Sequence, residues 1–182
     1  MRGAPKKPAV VGIAGWKKSG KTTLVVRLIE EFTRRGLAVA SLKHAHHSFR
    51  IDDAETDSAR HRRAGARQVA IVSSRRWALV TELNGTPEPD LATVLARLEP
   101  CDLVIVEGYK RAPIPKVEVR RRDAQAQDPL SAHDPNIIAI AADHVVDGHG
   151  LPTFRLDDVT GIAEFIAGAL RLSGAPGAPR GC

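Results

Sequence analysis

The segment Gly15-Trp16-Lys17-Lys18-Ser19-Gly20-Lys21-Thr22 constrains this chain more than any other. Two glycines bracket four residues and are followed by Lys and Thr, the spacing of a phosphate-binding loop. Glycines let successive backbone N–H groups point inward at phosphate oxygens. A helix starting near Lys21 adds its dipole. Lys21 is expected at the β- and γ-phosphates, the Thr22 hydroxyl on Mg²⁺, and Thr23 as a further phosphate contact. Gly15, Lys18, Ser19 and Gly20 supply the rest of the cradle.

The flanks agree with the loop. Ala9 to Ala14 is a short apolar run, the pattern of a buried parallel strand. Leu24, Val25, Leu28, Ile29 and Phe32 then recur at helical spacing, and Gly36 supplies a stop. Leu37 to Leu42 reads as a second strand, completing a βαβ unit. Further strands are expected at 69–72, 77–82, 103–106 and 137–142. The alternation of Lys116 to Val119 predicts an edge or half-exposed strand. Helices are expected over 57–66, over 90–98 with Asp90 as cap, and over 158–172. Strands alternating with helices predict an α/β fold of P-loop NTPase type, three layers with a mainly parallel sheet between helices. The expected organisation is one domain over residues 1–172, with a disordered Gly/Pro-rich tail over 173–182. Such sheets bind ligands at the carboxyl ends of their strands.

Two further segments fall at such ends. Asp102-Leu-Val-Ile-Val-Glu107-Gly108 places Glu107 at the carboxyl end of an apolar strand, where a triphosphate site needs an acid facing magnesium or water. Asp102, at the other end, is expected to be structural. Lys43-His44-Ala45-His46-His47 follows the second strand, with Asp52, Asp53, Asp57 and Ser58 close behind. Adjacent His46 and His47 suit one tetrahedral metal poorly. Anion recognition by Lys43, His44, His46 and His47 is the better reading, with Asp52 joining Thr22 and Glu107 around Mg²⁺. Lys110, Arg111 and Lys116 offer cations for a second anionic ligand. Asn136 and Asp143 flank a strand in the region where a base would be read.

A net charge of +6 favours polyanions, but 4% aromatic residues leave few stacking platforms for nucleic acid, which is disfavoured. No apolar run reaches the roughly 18 residues of a membrane span. The two cysteines show neither metal nor disulfide spacing. A cytoplasmic protein is expected.

Together these residues resemble the molybdopterin-guanine dinucleotide biosynthesis protein B (MobB) family. The resemblance rests on GWKKSGKTTL at 15–24, KHAHHSFRID at 43–52, AGARQ at 64–68, DLVIVEGYK at 102–110 and PKVEV at 115–119. Family members commonly carry a glycine shortly before Asp57-Ser58, where this chain has Ala54-Glu55-Thr56. The resemblance implies a homodimeric, magnesium-dependent GTPase of low activity. Such a protein supports the guanylyltransferase that attaches GMP to molybdopterin, and molybdopterin itself becomes a candidate ligand. Carried over by position, Lys21 and Glu107 serve catalysis and His44 to His47 with Asp52 lie in a functional loop. Two other readings compete. A small-metabolite kinase would use the basic helix at Arg60 to Arg67 as a lid. A nucleotide-switched metal chaperone would use the histidines.

Overall fold

The computed structural model describes residues 7–45, 56–124 and 128–172. His46, His47 and Asp52 therefore lie outside the described residues, as does the tail over 173–182. The chain divides into two compact units, residues 45–96 and the remainder.

The larger unit is built on six strands. These are β1 (Ala9–Ala14), β2 (Val39–Lys43), β5 (Leu103–Glu107), β6 (Lys116–Arg120), β7 (Ile137–Ala142) and β8 (Thr153–Arg155). They form one all-parallel sheet in the order β2-β5-β1-β6-β7-β8. One face takes Val11, Ile13, Leu103, Ile105, Val117, Val119, Ala139 and Ala141, the period-2 set of four neighbouring strands. Against it pack α1 (Lys21–Arg34), through Leu24, Leu28 and Phe32, and α4 (Val159–Ala169), through Ile162 and Ile166. Burying each large side chain contributes about 1.5–3 kcal/mol, so this face is the main source of stability. Asp158 caps α4 by accepting the Gly161 N–H at 3.0 Å. Asp102 has a structural role, accepting the Ala38 N–H at 2.8 Å.

The strand Lys116–Arg120 departs from expectation. It lies in the sheet interior between β1 and β7, and Lys116 to Val119 are all buried. Alternation misleads here because the polar residues are buried and paired. The Lys116 ammonium donates to Asp134 Oδ2 at 2.8 Å and to the Ala112 carbonyl at 2.6 Å. Glu118 accepts the Leu130 and Ser131 N–H groups and the Arg120 guanidinium. Lys116 is thus withdrawn from any ligand.

The smaller unit holds α2 (Asp57–Arg63), the antiparallel hairpin β3 (Gln68–Val72) and β4 (Trp77–Thr81), and α3 (Leu91–Leu95). Thr56 and Asp90 cap its two helices. Helix α3 is shorter than the leucine spacing suggests and buries none of its residues. In the basic helix, Arg62 pairs with Glu82 and Arg60 with Asp57.

Candidate nucleotide site

The phosphate loop joins β1 to α1 at the carboxyl edge of the sheet. Gly15 is required by close approach. A Cβ there would sit 2.5 Å from the Val119 carbonyl oxygen and 2.6 Å from Ser19 Oγ. Lys18 and Gly20 have φ of 65° and 93°, the left-handed bends that curl the loop. Helix α1 starts without a side-chain cap, whereas α2, α3 and α4 each have one. Its first N–H groups are thus left for a ligand. Ser19 Oγ is buried with no hydrogen-bond partner beside them. A buried polar atom left unpaired is costly and points to an absent acceptor.

Lys21 folds back on its own loop, donating to the Trp16 carbonyl at 2.7 Å. Burial lowers its pKa, Glu107 opposes this, and Lys110 and Lys43 add repulsion. Thr22 Oγ1 donates to Glu107 Oε1 at 2.9 Å. Two oxygens ligating Mg²⁺ at right angles, each about 2.1 Å away, would lie about 3 Å apart, so this pair has the spacing to hold magnesium. Lys43 Nζ lies 3.5 Å from the same carboxylate oxygen.

Strand neighbours explain why the Lys43-His44 and Glu107-Gly108-Tyr109 segments belong together. β2 pairs with β5 in parallel with Lys43 opposite Glu107. The His44 N–H donates to the Glu107 carbonyl at 2.8 Å, and the His44 ring lies 4.5 Å from that of Tyr109. Gly108, at φ 94°, admits His44. A Cβ there would sit 2.9 Å from His44 Cβ.

On the other side of the loop is a cavity of about 700 Å³. Gly20, Thr23, Arg27, Arg121, Asp143 and Arg155 help to line it. Arg27 and Arg121 have no ion pair among the described residues, while Arg155 is paired with Asp157. Asp143 Oδ1 accepts the Arg122 N–H at 2.9 Å and lies 2.8 Å from His144 Nδ1. The His144 contact and the Arg122 N–H hold the Asp143 pKa down against burial. Asn136 sits at the opposite, amino end of β7 and bonds Asp134, so it is not part of this site. Arg27 and Arg121 escaped the sequence reading as site residues, whereas Lys110, offered there as a cation for a second anionic ligand, lies against Trp16 of the phosphate loop. For Arg121 the available signal was its place just after β6, whose carboxyl end had to face the site once the strand was parallel.

Fold and loop together define the class, an α/β protein of P-loop NTPase type. Residues 10–143 match the family model for molybdopterin guanine dinucleotide synthesis protein B. The chain is 35% identical over 159 residues to the molybdopterin-guanine dinucleotide biosynthesis adapter protein of Escherichia coli, spanning 86% of this chain and 90% of that protein. It is 38% identical over 160 residues to the adapter protein of the same name from Haemophilus influenzae, spanning 86% of each. A crystal structure of a molybdopterin-guanine biosynthesis protein B superposes with a TM-score of 0.69 at 32% identity, covering 89% of this chain and 99% of that one. The chain belongs to the MobB family, which serves molybdopterin guanine dinucleotide synthesis.

Proposed function

We propose that this chain binds GTP with magnesium, hydrolyses it slowly, and acts in the cytoplasm as an adapter to the guanylyltransferase of molybdopterin guanine dinucleotide synthesis. The observation that carries the triphosphate is the start of α1, uncapped and with Ser19 Oγ buried and unpaired beside it. Lys21 exchanges the Trp16 carbonyl for phosphate oxygens, and Thr22 with Glu107 holds the metal. Bound Mg²⁺ would neutralise charge developing on the β- and γ-phosphoryl oxygens. Glu107 also orients the attacking water. Among the described residues Glu107 meets Thr22 and Lys43, and no glutamine or arginine is hydrogen-bonded to it, so turnover by the protein alone is expected to be slow.

The cavity beyond Thr23 takes the nucleoside. It is assigned to the nucleoside rather than to molybdopterin because Gly20 and Thr23 line both it and the phosphate loop. A carboxylate there favours guanine, whose N1–H and N2–H₂ donate where adenine offers no such pair. Asp143 Oδ1 is already engaged, leaving Oδ2 as the acceptor. Calorimetric titration with Mg²⁺ is expected to show GTP bound at least about tenfold tighter than ATP. Asp143→Ala is expected to remove most of that margin. Equal affinities in the wild type would overturn the guanine reading.

The homodimer reading has support in the hairpin. Val72 and Trp77 are paired across it, and Ala70 with Leu79 lie next on the same face. Val72, Trp77 and Leu79 are 75%, 62% and 49% exposed. A two-stranded sheet is marginal by itself, and this apolar face suits a second copy. Sedimentation is expected to give a dimer mass for the wild type and a lower mass for Trp77→Lys. A monomeric wild type would end this reading. No helix among the described residues is long and apolar enough to cross a membrane.

A further inference from the structure

We propose that Lys110 is the group that distinguishes a bound triphosphate from a diphosphate, using Trp16 as its resting place. This rests on the reading that Gly15 to Thr22 holds a nucleotide. Lys110 follows Glu107-Gly108-Tyr109 off the end of β5, on the metal side of the loop and away from the nucleoside cavity. Its ammonium stands 3.9 Å from the centre of the Trp16 ring. The same Trp16 takes the Lys21 ammonium on its carbonyl. Two cations thus sit on one residue of the phosphate loop, one on its backbone and one on its ring. Trp16 itself is pinned, its Nε1–H donating to the Asp128 carbonyl at 3.0 Å.

The charge balance makes this arrangement one for an anion. Lys110 and Lys43 each repel the Lys21 ammonium, and Glu107 is the carboxylate that draws it. Lys110 is partly buried and has no carboxylate within ion-pair distance among the described residues. A cation over an indole face recovers only about 0.5–2 kcal/mol, less than a phosphate oxygen returns to a desolvated ammonium. Lys21 occupies the β- to γ-phosphate position by the loop's own geometry. Lys110, approaching from the Glu107 side, meets the γ-phosphoryl oxygens. With a diphosphate nothing reaches it, and it stays on Trp16.

The test uses the full chain, Mg²⁺, and two probes, GDP and β,γ-imido-GTP. Lys110→Met keeps a stem over Trp16 and removes the charge. It is expected to weaken the imido-GTP by about tenfold or more while leaving GDP within about twofold. Lys110→Arg is expected to restore the difference. An unchanged melting temperature of the empty variants confirms that they fold. A second readout does not depend on substituting Lys110. In a Trp77→Phe background Trp16 is the only tryptophan. Its emission is expected to change more with imido-GTP than with GDP, since either nucleotide draws Lys21 off the Trp16 carbonyl but only the triphosphate draws Lys110 off the ring. Equal loss for both nucleotides in Lys110→Met, no loss at all, or the same emission change with either nucleotide would each overturn the proposal. If these results came from a wild type that binds both nucleotides, the phosphate-loop reading would stand. A wild type that bound neither would overturn both.

Discussion

Lys21→Ala is expected to lower the affinity for Mg-GTP at least about 100-fold in calorimetry, with the fold intact. Lys21 makes no ion pair among the described residues; its ammonium donates to the Trp16 carbonyl and is partly stripped of water. With nucleotide present it would form charge-assisted bonds to phosphate oxygens, each contributing about 1.5–3 kcal/mol. Two such bonds lost give the stated factor at the lower end. Alanine is a good helix former, and the empty variant sheds a partly buried charge. Its melting temperature should therefore equal or exceed that of the wild type. Retained affinity in a folded variant would end the assignment of Gly15 to Thr22 as a phosphate site.

Asp134→Ala is expected to destabilise the protein by about 3–5 kcal/mol, because it strands a buried ammonium. The Lys116 side chain is 1% exposed and donates to Asp134 at 2.8 Å. In a chain of this size that loss lowers the melting temperature by roughly 6–20 °C. Lys116→Met combined with Asp134→Ala should recover much of it, since an apolar pair leaves no unpaired charge. The same pair sets an acid limit. Burial tends to raise the Asp134 pKa, but hydrogen bonds from Lys116 and Asn136 outweigh it and hold the value below the ordinary one. A depressed carboxylate contributes its full stabilisation above its unfolded pKa, about 3.9, and loses it as pH falls further through the folded value. Urea midpoints of the wild type should therefore decline below about pH 4. The double variant should decline less. Parallel decline in both would assign the acid sensitivity to other groups.

How much of this was legible in the sequence differs by element, for physical reasons. β1, β5 and β7 announce themselves as unbroken apolar runs because both of their faces are buried. β6 does not. Its Lys116 and Glu118 look like a solvent face, and only tertiary partners from 130–134 make them interior. β8 has three residues, too few for any period. The place of Glu107 at the carboxyl end of β5 was legible because the apolar run before it ends there. Its contact with Lys43 was not, because β2 lies beside β5 rather than beside β1, and strand order is not written in chain order. That Lys110 lies against the phosphate loop and that Arg121 lines the cavity were not legible for a related reason. Their neighbours Trp16 and Gly20 are more than ninety residues away, joined only through the sheet.

The uncapped start of α1 also has a thermodynamic consequence. The other described α-helices each start on a cap from the chain's own Thr or Asp. Here the covalent structure stops short, and a missing cap costs about 1 kcal/mol. Whatever fills that place adds to folding as well as to function. At a free concentration of 100 times its dissociation constant, such a ligand adds about 2.7 kcal/mol of stability. The cellular supply of the ligand would then govern how much of this protein survives unfolding and proteolysis, as well as how much is loaded.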